Sequence, residues 1–235
     1  MASEGTGSRA LLDRHVVITG GQGGMGGAVV DAFIDAGAVV HLPVRQLTAG
    51  TPARARIHPS AVDLSDEGAV TAFYRGLPAL WASVHLAGGY AGAPITEIDQ
   101  AALRTQIDIN LVTAFLCCRE AVRKMRAPGT GAASPGGRIV NFASRAALVP
   151  GGGALAYAAA KAGVVVLTQG LAAEVRSDGI LVNALAPQTI DTPNNRAAMP
   201  TADFSRWAKP ADIARTLLWL VAPDNVLVTG AVIPI

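Results

Sequence analysis

The chain has 235 residues, enough for one sizeable hydrophobic core and too few for two full domains, so a single domain is expected. Hydrophobic residues make up 51% and charged ones only 15%, with small apolar types dominant, a mix that suits helices packed closely on a buried parallel sheet. A formal net charge of +2 with no Lys/Arg cluster gives no electrostatic footprint for nucleic acid.

Residues 1–9 are rich in Gly, Ser and Thr and show no basic segment followed by an apolar one. They read as a disordered tail ahead of a domain spanning 10–235. The most apolar stretches are broken by Gly, Pro or charge before reaching about 18 residues, so no membrane span is expected and the cytoplasm is the default location. Cys117 and Cys118 are adjacent and nothing has metal-ligand spacing. They read as small buried apolar residues in a reducing compartment, and no metal site is expected.

Short apolar runs alternate with helical patterns along the chain. His15–Thr19 is β-rich, and Gly24–Ala36 carries Met25, Ala28, Val29, Ala32 and Phe33 at helical spacing before Gly37 stops it. Strands are expected at 38–42 and 56–62, then a helix over 66–75 with Ser65 as N-cap, then a strand at 81–87. A long helix over 99–126, free of Gly and Pro, leads into a Gly/Pro-rich loop at 127–137. A strand at 138–143, a helix at 154–177, a strand at 180–186, a helix at 210–221 opened by Pro210, and a strand at 226–235 complete the pattern. Strictly alternating strands and helices predict an α/β fold, a Rossmann-type doubly wound parallel sheet flanked by helices in one domain.

Thr19-Gly20-Gly21-Gln22-Gly23-Gly24-Met25-Gly26 follows the first strand and opens the first helix. Glycines let the backbone approach a ligand, and a helix N-terminus offers free N–H groups and a positive dipole end to a pyrophosphate. The spacing is not GxGxxG. It resembles the TGxxxGxG turn of short-chain dehydrogenases/reductases, in which Gly20, Gly24 and Gly26 match the motif glycines and Met25 takes the apolar position between the last two.

Tyr157 and Lys161 lie four apart on a predicted helix and so share a face, where an ammonium near the phenol favours the phenolate. Ser144 stands 13 residues before Tyr157, just past a predicted strand end, where open α/β sheets bind ligands. With Asn110 in the long helix, the set resembles the family's Asn-Ser-Tyr-Lys tetrad. The resemblance implies that Tyr157 is the general acid in reduction and the base in oxidation. It implies that Ser144 hydrogen-bonds the substrate oxygen, that Lys161 lowers the Tyr157 pKa and binds the nicotinamide ribose, and that Asn110 holds a water for proton relay.

Other landmarks match along the chain. By resemblance, Asp63, with Leu64 after it, contacts the adenine. Ala87, Gly88, Pro187, Ile190 and Thr192 line the cofactor, as does Gln22 in the turn. The second strand ends Leu42-Pro43-Val44-Arg45, so Val44 stands where an NAD-selecting acid is expected and Arg45 is placed to pair with a 2′-phosphate. NADP(H) is therefore favoured over NAD(H). The pocket is expected to include Arg145, Gln188 and Trp207, with Ala146, Leu148 and 88–90 nearby.

Three departures stand out. The family's Asn-Asn-Ala-Gly is His85-Leu86-Ala87-Gly88 here, Gln188 replaces the usual glycine after the proline, and Ile235 is the last residue where relatives continue with an Asp-Gly-Gly tail. The segment from Thr192 to Lys209 resembles the lid of dihydropteridine reductases. The resemblance thus implies an NADP(H)-dependent oxidoreductase acting on a small carbonyl/alcohol substrate, with no nucleic-acid or membrane partner, assembled as a homodimer or homotetramer through its two long helices. A pteridine- or imine-type C=N reductase on the same scaffold and a non-catalytic dinucleotide sensor are the alternatives.

Overall fold

The computed structural model describes residues 10–51, 54–127 and 136–235. The expected N-terminal tail and most of the expected loop 127–137 lie outside the described residues. Seven strands, β1 (His15–Thr19), β2 (Val39–Val44), β3 (Ile57–Ala61), β4 (Ala82–His85), β5 (Gly137–Phe142), β6 (Ile180–Ala186) and β7 (Val232–Pro234), form one sheet in the order β3-β2-β1-β4-β5-β6-β7. Every pairing is parallel. The helices are α1 (Gly26–Asp35), α2 (Glu67–Gly76), α3 (Gln100–Ile107), α4 (Thr113–Arg126), α5 (Arg145–Leu148), α6 (Leu155–Glu174), α7 (Pro193–Ala198) and α8 (Pro210–Val221).

Both faces of the sheet are covered because side chains alternate along each strand. Val16 and Ile18 of β1 join Val29 and Phe33 of α1 and Leu217 and Leu220 of α8 in one core. Val17, between them, joins Tyr74 of α2, Cys117 and Ala121 of α4, and Val182 in the other. Strand order reverses between β1 and β4, and the chain leaves their carboxyl ends in opposite directions, opening the crevice where open α/β sheets bind ligands. By length and composition α6 is apolar enough to cross a membrane, with mean hydropathy 1.4. It instead packs on β5 and β6, with Lys161 and Thr168 on its buried face, as a core helix does.

Local differences from the sequence expectation have physical causes. The N-cap of α2 is Asp66, whose carboxylate accepts the Ala69 N–H, while the expected cap Ser65 donates its hydroxyl to Asp63. β2 runs two residues further than expected, through Pro43. Its pairing with β1 ends at His41, so the missing N–H of Pro43 has no β1 acceptor to leave unmet. The expected helix 99–126 is three pieces, since a π-helical turn at Asp108–Val112 separates α3 from α4. There the Asn110 side-chain amide donates to the Gln106 carbonyl, the acceptor its own backbone N–H would use in a regular helix, and the turn widens. The last strand is only Val232–Pro234, and α5 and α7 are short helices absent from the sequence reading.

His85, standing where the family has asparagine, ties the sheet together. Asn141 gives its amide to Thr168 (2.9 Å), which leaves its oxygen as the acceptor for the His85 Nδ1–H (2.8 Å). His85 Nε2 then accepts from Ser83 (2.8 Å), whose oxygen accepts from Tyr74 (2.8 Å). This buried chain links α2, β4, β5 and α6 with every donor matched to an acceptor. A second set, His15, His41 and His58, stacks across β1, β2 and β3 with ring centroids 5.2 and 5.4 Å apart, and His15 Nδ1 meets His41 Nε2 at 2.8 Å.

Burial pushes His85 down to about 4, and burial reinforced by His15 and His58 pushes His41 down to about 4. Because both imidazoles bind protons more readily in the unfolded chain, the stability they contribute is complete above pH 6.5 and is lost as pH falls toward 4. For His85 the loss is on the order of 3 kcal/mol. Urea unfolding between pH 7 and 4 will show a falling midpoint, and His85→Asn will shallow that fall.

Candidate active site

The crevice gathers residues from four strand ends. Gly20, just past β1, has φ +68°, and a Cβ there would sit 2.7 Å from the Ala87 nitrogen beyond β4. A Cβ on Gly26 would collide with the Gly20 carbonyl, and one on Gly24 would press on Thr192 at 3.2 Å. The turn is therefore drawn tight against Ala87 on one side and Thr192 on the other, leaving the N-terminus of α1 open toward the crevice. Met25 is buried beneath it and Gln22 is exposed, its amide 3.3 Å from Thr51 in the loop after β2. That crowding around bare backbone is what a pyrophosphate cradle requires. Gly20, Gln22, Gly24 and Gly26 would hold the diphosphate of a dinucleotide.

Ser144 follows β5 and caps α5, its hydroxyl accepting the Ala146 N–H at 3.2 Å. Tyr157 lies in the first turn of α6 and Lys161 one turn on. The Lys161 ammonium is buried and donates to the Phe142 carbonyl at 2.7 Å. Asn110 reaches in from the π turn. Its amide donates to the Gly89 carbonyl (2.9 Å) and its oxygen accepts the Gly89 N–H (3.2 Å). Gly88 fits between these groups, since a Cβ on it would lie 2.6 Å from the Asn110 oxygen and 3.3 Å from the Lys161 nitrogen. Asn110, Gly88 and Lys161, far apart in the chain, thus form one contact.

Burial lowers Lys161 to about 8. Burial also lifts the Tyr157 phenol above its ordinary value, against the opposing influence of Ser144 and with a further push from Tyr90, whose ring meets that of Tyr157 edge-on at 5.1 Å. The direction is opposite to the lowering expected from the Tyr157–Lys161 pair. The ammonium is turned to the Phe142 carbonyl, 5.9 Å from the ring centroid, and desolvation governs the phenol.

The remaining predicted positions follow the ends of β2, β3 and β6. Arg45 follows β2 directly and is exposed. Asp63 gives one carboxylate oxygen to the Ser65 N–H (2.9 Å) and hydroxyl (2.6 Å), which, with Arg45 nearby, holds it below its ordinary range. Leu64 packs at the margin of the α2–α4 core. The Pro187 carbonyl accepts the Arg145 N–H (2.8 Å), tying β6 to Ser144's neighbour. Thr192 caps α7, and the Ile190 carbonyl accepts from the Asn195 amide. Gln188 and Trp207 share a cavity of about 320 Å³ with Thr189, Asp203 and Arg206; Arg145 is not one of its lining residues. Sequence reasoning missed Thr19, whose hydroxyl accepts the Ala87 N–H at 3.1 Å, and it missed Gln106 and Arg206. Thr19 heads the quoted glycine turn and Arg206 lies inside the expected lid, so both lay within reach of a sequence signal, and Gln106 did not.

The sequence model of the short chain dehydrogenase family matches residues 14–203, and the chain belongs to that family. It is 33% identical to cis-4-hydroxycyclohexanecarboxylate dehydrogenase of Sinomonas cyclohexanicum, over 96% of each chain. It is 36% identical to 2-dehydro-3-deoxy-L-rhamnonate dehydrogenase (NAD(+)) of Sphingomonas sp. (strain SKA58), over 77% of this chain and 73% of that one. A short-chain type dehydrogenase/reductase from Mycobacterium ulcerans superimposes with a TM-score of 0.85 at 26% identity, over 96% of this chain and 89% of that one. The protein is an oxidoreductase that uses a nicotinamide dinucleotide and acts on a CH–OH group.

Asn110 is itself held by Gly89 and Gln106, so moving it breaks these bonds. Gly88→Ala will therefore displace Asn110 and Lys161, lowering turnover at least tenfold while costing about 1–3 kcal/mol of stability. Steady-state rates beside denaturant unfolding will separate the two effects.

Proposed function

We propose that the protein interconverts a small secondary alcohol and its ketone with NADP(H), using Ser144, Tyr157, Lys161 and Asn110. The observation that carries this reading is the contact of Asn110, Gly88 and Lys161 behind Tyr157. It is a buried ammonium beside a half-buried phenol, at the strand ends where the sheet opens. A dinucleotide sensor has no use for such a group.

When bound, the dinucleotide supplies or accepts the hydride at the carbonyl carbon. Ser144 donates a hydrogen bond to the carbonyl oxygen and steadies the charge that grows there. Tyr157 passes its proton to that oxygen, leaving the alcohol. A raised pKa keeps the phenol protonated at neutral pH, the form reduction needs, so alcohol oxidation should gain as pH rises. Lys161 supplies positive charge behind the phenol and would hold the cofactor ribose, and Asn110 keeps a path for the replacement proton.

The NADP(H) preference rests on Val44, which stands at the end of β2 in place of an NAD-selecting acid, and on the exposed Arg45 after it. The Sphingomonas relative is named for NAD(+), so the preference belongs to this chain's own residues. Asp63, Leu64, Ala87, Pro187, Ile190 and Thr192 complete the cofactor site in this reading, and Arg145, Gln188 and Trp207 face the substrate. Exposed Phe115 on α4 and Val166 on α6 support a homodimer or homotetramer formed through these helices. Two buried free thiols, Cys117 and Cys118, support a cytoplasmic location.

Absorbance at 340 nm over a panel of ketones tests the proposal. Wild-type protein will consume NADPH in preference to NADH. Tyr157→Phe will retain NADPH binding by fluorescence and lose at least about a hundredfold in kcat. Equal rates in the variant would remove Tyr157 from the reaction.

A further inference from the structure

The geometry points to a carboxylate-bearing substrate whose acid group is held by Arg206 in the cavity it lines with Gln188, Thr189, Asp203 and Trp207. This rests on the proposed alcohol/ketone chemistry and adds to it the class of molecule and the residue that selects it.

The cavity is linked through the backbone to the segment that bears Ser144. Gln188 follows Pro187, whose carbonyl is bonded to the Arg145 N–H next to Ser144. The turn bearing Arg206 is fixed rather than free. The Ala208 N–H donates to the Thr189 carbonyl (3.0 Å) and the Asp191 N–H to the Ala208 carbonyl (2.9 Å), so residues 204–208 are laced onto 189–191. Phe204 and Trp207 pack ring to ring with centroids 4.7 Å apart, and the Arg196 guanidinium lies over Phe204. The backbone that carries the exposed Arg206 is thus held in place beside the cavity.

Charge accounting singles out Arg206. Between Asp191 and Lys209 the chain carries two acids, Asp191 and Asp203, and three bases, Arg196, Arg206 and Lys209. Arg196 is committed to Asp191 through two hydrogen bonds. Asp203 spends one oxygen on the Ser205 N–H (3.0 Å) and hydroxyl (2.6 Å), holding its own turn. Arg206 has no carboxylate within ion-pair distance among the described residues. An uncommitted guanidinium fork matches a carboxylate with two parallel hydrogen bonds. The Gln188 amide and Thr189 hydroxyl add polar contacts, and the Trp207 indole offers a face for the carbon skeleton. Asp203 lines the same cavity, and its charge opposes any acid group not paired with Arg206, which favours a monoacid. At about 320 Å³ the cavity is at the small end of ligand sites. It suits a ring or short chain of several carbons and not a nucleotide-sized ester.

Calorimetric titration with cyclohexanecarboxylate and with its uncharged amide, with and without saturating NADP+, tests the inference without requiring turnover. Wild-type protein should bind the carboxylate at least tenfold more tightly than the amide. Arg206→Met should reduce that advantage below twofold while leaving amide affinity unchanged, and Arg206→Lys should retain part of it. Equal affinities in wild type, no carboxylate binding, or an advantage that survives Arg206→Met would overturn the assignment. Loss of ketone reduction with the carboxylate preference intact would instead refute the proposed chemistry and leave the cavity's role standing.

Discussion

One buried ammonium sets the terms for the rest of the site. Lys161 is almost fully removed from water, and a charge so placed needs a hydrogen-bonding partner. The Phe142 carbonyl at the end of β5 is that partner, at 2.7 Å. The bond fixes α6 against β5 in both rotation and height, which puts Tyr157 one turn nearer the helix start, close to Ser144. Gly88 must then lack a side chain, because Lys161 and Asn110 fill the space one would need. Asn110 reaches that point from the widened turn at Asp108–Val112, where its side chain takes the Gln106 carbonyl.

Behind this centre the sheet is stitched by a chain of neutral groups. His85, buried and held uncharged by desolvation, occupies the core of β4 with one nitrogen toward Ser83 and the other toward Asn141. Asn141 lies three residues before Ser144, and Thr168, which accepts its amide, lies seven residues after Lys161 on the same helix. The elements that carry the serine and the lysine are therefore joined twice, once at the site and once beneath it. The family's asparagine at this place is replaced by a different side chain performing the same cross-linking, at the expense of sensitivity to acid.

Much of the fold was legible because parallel sheets write their strands as apolar runs. His15–Thr19 is the same in sequence and structure, and the alternation of strands with helices led directly to the doubly wound architecture. The glycine turn was legible from its place between a strand and a helix. What stayed hidden was set by contacts distant in the chain. Nothing around Asn110 marks a widened turn, since the cause is a side-chain bond to Gln106 and a grip on Gly89. The direction of the Tyr157 shift depended on how deeply the ring is buried and where the lysine turns. The dihydropteridine reductase likeness of the lid finds no echo in the two curated relatives, which are named as dehydrogenases of other substrates. Arg206 lay in that lid unnoticed, since a lone exposed arginine among Ser and Trp reads as surface, and only the fold sets it beside Gln188.

In the proposed reaction a hydride passes to a carbonyl carbon beside Tyr157. The most direct measurement follows the hydride itself. NADPH deuterated at the nicotinamide C4, in its two epimeric forms, is incubated with the protein and a panel of cyclic and open-chain ketones, and the products are read by mass spectrometry. One epimer should deliver a deuterium to the carbinol carbon and the other none. Oxidation of the cofactor with no deuterium in any alcohol from either epimer, or no alcohol formed at all, would contradict the proposed reaction.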